Sequence, residues 1–214
     1  MLYLGKYVYF TLALLIGALV VYKSLDYLSP DFTSGFLSDK QEVFPAYAPF
    51  LYMHILGAPL ALLAGLYQFT FPKRAGHKTV GKVYLYSIVL LAAPGGFGMA
   101  FFALGGMWSV INFLLLSSLW FGFTIIAYRQ IKKGDPLQHR QFMIRSFILT
   151  NSAVLIRLFS FINNSFQITD VMTGYVIISW LSWVPFWLGY ELVLGMSTTP
   201  SSYIKKEWVK GDKK

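Results

Sequence analysis

The chain has 214 residues, of which 56% are hydrophobic and only 13% charged, with a formal net charge of +9. A soluble domain carries about a quarter charged residues, and the apolar runs here reach about 17 to 25 residues, enough to cross a bilayer core as helices. Composition therefore assigns an all-α integral membrane protein, and the absence of cysteine excludes disulfides, thiolate metal sites, iron–sulfur clusters and cysteine nucleophiles.

Six spans are expected, forming one transmembrane domain over residues 1–196. The first runs from about Tyr7 to Tyr22. It follows Lys6 as a signal peptide would, but no small-x-small cleavage site follows it and the chain begins at Met1, so it is expected to be retained. A loop from about Lys23 to Ala48, rich in Ser, Asp, Pro and Phe, comes next. Two readings of it stand, a cover folded over the end of the bundle and a linker.

The second span covers about Pro49 to Phe71, and the third about Gly81 to Leu104, with "APGGFGM" (residues 93–99) placed to break it. The fourth runs from about Trp108 to Tyr128 and the fifth from about Pro136 to Asn163. Gly134 suits the end of the fourth helix, Asp135 the N-cap of the fifth and Pro136 its first turn. The sixth runs from about Met172 to Met196, where Pro185 is expected to kink it. Residues 197–214 form a basic tail. It reads first as a topology signal and second as a lipid-binding or partner-binding segment.

Lys and Arg crowd one side. With the N-terminus inside, the inner side holds Lys6, Lys73, Arg74, Lys78, Lys82, Arg129, Lys132, Lys133, Arg140 and the lysines of the tail. The outer side holds Lys23 and Lys40 against several carboxylates. Both termini are therefore expected in the cytoplasm, as an even number of spans requires. This placement accounts for the net charge, and no basic face with interleaved aromatics suggests nucleic acid; the partner is the lipid bilayer.

Polar residues inside the spans form stripes. At about 100° per residue, Met143, Ser146, Thr150, Ala153, Arg157 and Asn164 fall within about 40° of His139. A polar stripe of this length faces the bundle interior or a wet cavity, because lipid cannot satisfy it. Leu149, Leu155, Ile156 and Phe159 lie off it and suit lipid or neighbouring helices. On the second span His54, Ala58, Ala61, Gly65 and Gln68 share a face, and Gly57, Ala61 and Gly65 have the spacing that lets helices approach closely. His54 and Arg157 are expected at similar outer depth, and Gln68 and His139 near the inner end.

Trp180, Trp183, Trp187 and Glu191 share a face of the sixth span, and Glu191 is the one acidic residue within a span. Arg145 points about 120° from the His139 stripe, so Glu191 is its expected partner in an ion pair. Each feature also has a plainer reading. Arginines near helix ends snorkel to the interface, tryptophans build interface belts, and a lone intramembrane histidine is often a packed hydrogen-bonding group.

The segments "HILGAPLALLAGLYQF", "HKTVGKVYLY" and "HRQFMIRSFILTNSAVLIRL" resemble a bacterial family of predicted multi-pass membrane proteins, domain of unknown function 2306. The resemblance covers about Tyr52 to Leu192. It rests on His54, Gly57, Gln68, His77, Gly81, Tyr84, His139, Arg140, Met143, Arg145, Ser146 and Arg157. Phe142 stands where the family pattern has Trp. The resemblance implies a bacterial inner-membrane protein and no established reaction.

Three functions are open to such a chain. The first is a non-catalytic subunit or assembly factor of a membrane complex, built around a His/Arg-lined intramembrane cavity. The second is a redox protein holding one b-type haem or a quinone, with His54, Gln68, His77, His139 and Arg157 as the candidate cofactor-binding residues. Three histidines exclude two bis-histidine haems, and one haem fits only between His77 and His139. The third is a binding or transport protein for a small molecule, lipid or ion. No zinc-protease or nucleophile-elbow motif supports a hydrolase, and no metal site is expected.

Overall fold

The computed structural model describes residues 2–33, 37–72 and 75–196. The basic tail, Lys73 and Arg74 lie outside the described residues. The described residues are helical, with no strand among them.

Six helical runs follow one another up and down. They are α1 (Leu2–Leu25), α2 (Phe44–Thr70), α3 (His77–Ala100), α4 (Met107–Lys132), α5 (Pro136–Phe166) and α6 (Val171–Met196). The last five are each long and apolar enough to cross a membrane. Short connections make sequence neighbours antiparallel, so the α2–α3 and α4–α5 turns share one end of the bundle, called here the basic end. The long α1–α2 connection and the α3–α4 and α5–α6 turns share the other, the loop end.

Local chemistry sets the boundaries. Gly134, at φ 77°, lets the Asp135 N–H reach the carbonyl of Gln130 and so closes α4. Asp135 then caps α5 by accepting from the backbone N–H of Gln138 at 3.0 Å, with Pro136 next. At the other end of α5, Gln167 takes a left-handed conformation (φ 49°). Asn163 fastens the following turn by accepting from the Thr169 N–H and donating to its carbonyl. Asp170 caps α6 through the N–H groups of Met172 and Thr173, and the Thr173 contact foremost holds its carboxyl below the usual carboxylate range.

Two helices depart from the expected outline. Instead of breaking at "APGGFGM", α3 stays continuous and widens into a π-helical stretch, Ser87–Ala92, just before Pro94. Proline lacks the N–H that would hold the preceding turn, and the wider winding carries the chain past it. α3 then ends at Ala100 rather than near Leu104. In α6 the interruption falls at residues 182–183, just before Pro185, and divides the run into Val171–Leu181 and Val184–Met196.

The long connection packs against the bundle. Leu37, Tyr47 and Leu51 are buried together, with Tyr27, Phe32, Phe44, Met99 and Phe102 against them. Lys40 is buried there as well, 2.6 Å from Asp39. The main core lies between α2, α3, α4 and α5, around Ala61, Tyr84, Ile88, Trp120 and Leu149. Leu149 is therefore a core residue at 1% exposure, packed against neighbouring helices rather than lipid. α1 lies outside this core, resting Val20 on Leu62 and Leu66 of α2.

Candidate functional site

The middle of the α5 stripe is filled. Tyr84 of α3 places its hydroxyl 2.8 Å from the Ser146 hydroxyl and 2.9 Å from that of Thr150. Thr124 of α4 meets Ser146 at 2.8 Å, and the Trp120 indole N–H donates to Thr150 at 3.0 Å. Thr124 and Thr150 also turn toward the backbone carbonyls of Trp120 and Ser146. These six contacts draw on only five hydrogens, four hydroxyl and one indole, so no donor remains for anything else. The stripe does face the interior, but at mid-depth its partners are Tyr84, Trp120 and Thr124 rather than His54 and Gln68 across an open cavity. The missed signal lay in α4, where Trp120, Thr124 and Ala127 recur at helical spacing.

The basic end gathers Gln68, His77 and His139. Gln68 is buried in α2 and its side-chain nitrogen donates to the His77 carbonyl at 2.5 Å. Gly81 leaves room for it, since a Cβ there would stand 3.0 Å from the amide nitrogen. His139, in the first turns of α5, places Nδ1 2.9 Å from the Ala127 carbonyl of α4. Gln68 Oε1 and His77 Nδ1 are buried and have no partner among the described residues.

At the loop end His54 and Arg157 are separately engaged. His54 Nδ1 lies 2.8 Å from the Ala92 carbonyl, at the close of the π-helical stretch, and its ring meets Trp120 edge-on at 6.5 Å. Three glycines permit this approach of α2 and α3. A Cβ on Gly57 would stand 2.6 Å from the Ala92 nitrogen, and one on Gly95 2.7 Å from the His54 nitrogen. A Cβ on Gly96 would stand 3.2 Å from His54 Nδ1. Arg157 is exposed and donates to the Ala153 carbonyl of its own helix at 2.9 Å. No hydrogen bond joins it to His54.

Arg145 and Glu191 form a bidentate pair, Nε to Oε1 at 2.6 Å and Nη2 to Oε2 at 2.8 Å. The Trp187 indole N–H adds a third donor to Oε1 at 2.9 Å. The guanidinium also lies over the Phe142 ring at 4.7 Å, which gives that residue a place in the site, and over Tyr190 at 5.6 Å. Trp180, Trp183 and Trp187 stack in succession along α6, and Trp183 donates to Asn112 of α4 at 2.8 Å. Among the described residues no group of three or more His, Asp and Glu side chains stands ready for a metal ion.

No curated protein and no solved structure matches the chain. One family model does, described as "Predicted membrane protein (DUF2306)", over residues 51–194. That stretch holds His54, Gln68, His77, Arg145, Arg157 and Glu191, the hydroxyl cluster and both polar ends. Since it spans well over half the chain and lies on helices fit to cross a membrane, the protein belongs to the predicted membrane protein family DUF2306.

Proposed function

We propose that this protein is a non-catalytic component of a membrane complex, a subunit or an assembly factor, in the inner membrane of a bacterium. The observation that carries this reading is the self-satisfied cluster of Tyr84, Trp120, Thr124, Ser146 and Thr150, which locks α3, α4 and α5 together at mid-depth. A transport path or reaction chamber there would need polar groups free to meet a substrate. A saturated cluster favours a rigid post on which other chains assemble. The His/Arg-lined interior then amounts to two polar ends on either side of a packed middle.

The test is purification from native membranes in mild detergent, followed by mass measurement and an absorption spectrum. A defined complex of fixed stoichiometry without a visible chromophore is the expected result. A lone chain with a Soret band that shifts on reduction would overturn it.

One observation favours a second reading, in which the basic end holds one b-type haem or a quinone. A carbonyl at Nδ1 of His139 orients the ring and leaves Nε2 for a ligand, as second-shell carbonyls do for haem-binding and metal-binding histidines. His77 supplies the other imidazole, and the same spectrum separates the two readings.

A further inference from the structure

Two backbone carbonyls decide how the polar groups at the basic end are presented. The Gln68 atom 2.5 Å from the His77 carbonyl must be its NH2 group, because a carbonyl only accepts. The group left over is Oε1, an acceptor on a side chain only 5% exposed, with no partner among the described residues. The same logic fixes His139. Its Nδ1 faces the Ala127 carbonyl at 2.9 Å and so carries the hydrogen, which leaves Nε2 as the acceptor position of the ring. His77 Nδ1 is also buried and has no partner among the described residues, and no bond to it fixes the ring's tautomer. A buried acceptor without a donor is unfavourable, so Gln68 Oε1, held in this orientation, favours a molecule that donates.

We propose that the basic end binds a membrane-soluble headgroup through two hydroxyl donors, a hydroquinone being the form that fits and the oxidised quinone the form that does not. The hydroquinone gives one O–H to Gln68 Oε1 and the other to Nε2 of His139. The quinone has only acceptors and would set oxygen against lone pairs. The proposal rests on the second reading above, that this end binds a ligand at all, and adds which form it takes. A lipid headgroup with free glycerol hydroxyls offers the same chemistry from another source.

The test uses the full chain in phosphatidylcholine nanodiscs, titrated anaerobically with a short-chain ubiquinol and, separately, its ubiquinone. The quinol is expected to bind at least ~10-fold tighter, two hydrogen bonds being in play. Gln68→Met should remove most of that preference and leave quinone affinity unchanged. A second arm exchanges phosphatidylcholine for phosphatidylglycerol. A preference for phosphatidylglycerol that Gln68→Met abolishes would assign the same acceptors to the lipid glycerol and support the shared chemistry. Equal affinity for quinol and quinone, with no lipid preference, would overturn the donor assignment and leave ligand binding standing. Binding of neither, in a chain that also lacks a Soret band, would overturn both. The wild-type comparison decides the matter even if the Gln68 variant fails to fold.

Discussion

At the scale of single residues, hydrogen counting separates side chains that look equivalent. The hydroxyl cluster holds more contacts than hydrogens, so losing one member costs little unless a buried donor is stranded. Tyr84→Phe removes two contacts and one hydrogen, and every remaining donor keeps an acceptor. Its expected cost is about 1 kcal/mol or less. Thr150→Val is nearly isosteric but removes the acceptor 3.0 Å from the Trp120 N–H, an expected loss of about 1–3 kcal/mol. Unfolding of both variants in one detergent checks the order, and a larger loss for Tyr84→Phe would contradict it. Arg145 and Glu191 present the opposite case, charges satisfied mainly by each other. Either single change to an apolar residue should cost about 2–3 kcal/mol. That is below the 3–5 kcal/mol of a fully buried pair because Glu191 keeps 33% exposure. The double change to Met and Leu should cost less than either single one, and three equal losses would count against the coupling. Much of this was legible beforehand, since helical angles separated Arg145 from the stripe and only one carboxylate lay within a span. Tyr84 and Thr124 as partners of the stripe were not, because periodicity gives a face and says nothing of what packs on it.

At the scale of the helix, small residues decide how closely α2 and α3 approach, and so whether His54 reaches the Ala92 carbonyl. Gly57, Ala61 and Gly65 showed their spacing in sequence, and the prediction they support is sharp. A Cβ on Gly57 meets three atoms of α3 at 2.6 Å, two of them backbone, so Gly57→Ala must push the helices apart. An overpacking cost of about 1–3 kcal/mol is expected. Gly122 serves as the control. It lies within α4 with nothing within 4 Å of an added Cβ, so Gly122→Ala should be neutral or stabilising by up to about 1 kcal/mol. Thermal unfolding of the two variants in the same detergent tests the contrast, and equal midpoints would show that the α2–α3 contact yields easily. The π-helical stretch before Pro94 was not legible. Proline and paired glycines signal a broken helix in any local reading, and only the packing of α2 on α3 keeps this one wound.

At the scale of the whole molecule, the charge asymmetry that sets orientation is reinforced by how the charges are paired. Both described lysines at the loop end face an aspartate, Lys23 with Asp26 at 3.6 Å and Lys40 with Asp39 at 2.6 Å. At the basic end Lys78, Lys82, Arg129, Lys132, Lys133 and Arg140 take part in no ion pair among the described residues. Free cations beside short turns are what holds a loop in the cytoplasm. The basic end is therefore expected to face the cytoplasm and the long α1–α2 connection the opposite side. Six apolar runs were countable from sequence, and five of them form helices long and apolar enough to cross a membrane, whereas the folding of the connection against the bundle depended on contacts far apart in the chain. Thr33→Cys, exposed in that connection, and Lys133→Cys, exposed in the α4–α5 turn, report the two sides. In intact cells a membrane-impermeant maleimide should label the first and spare the second until the membrane is opened. The reverse pattern would invert the protein and place the Gln68–His77–His139 corner away from the cytoplasm. Labelling of both in intact cells would put Thr33 and Lys133 on one side, which the three crossings of α2, α3 and α4 between them do not allow.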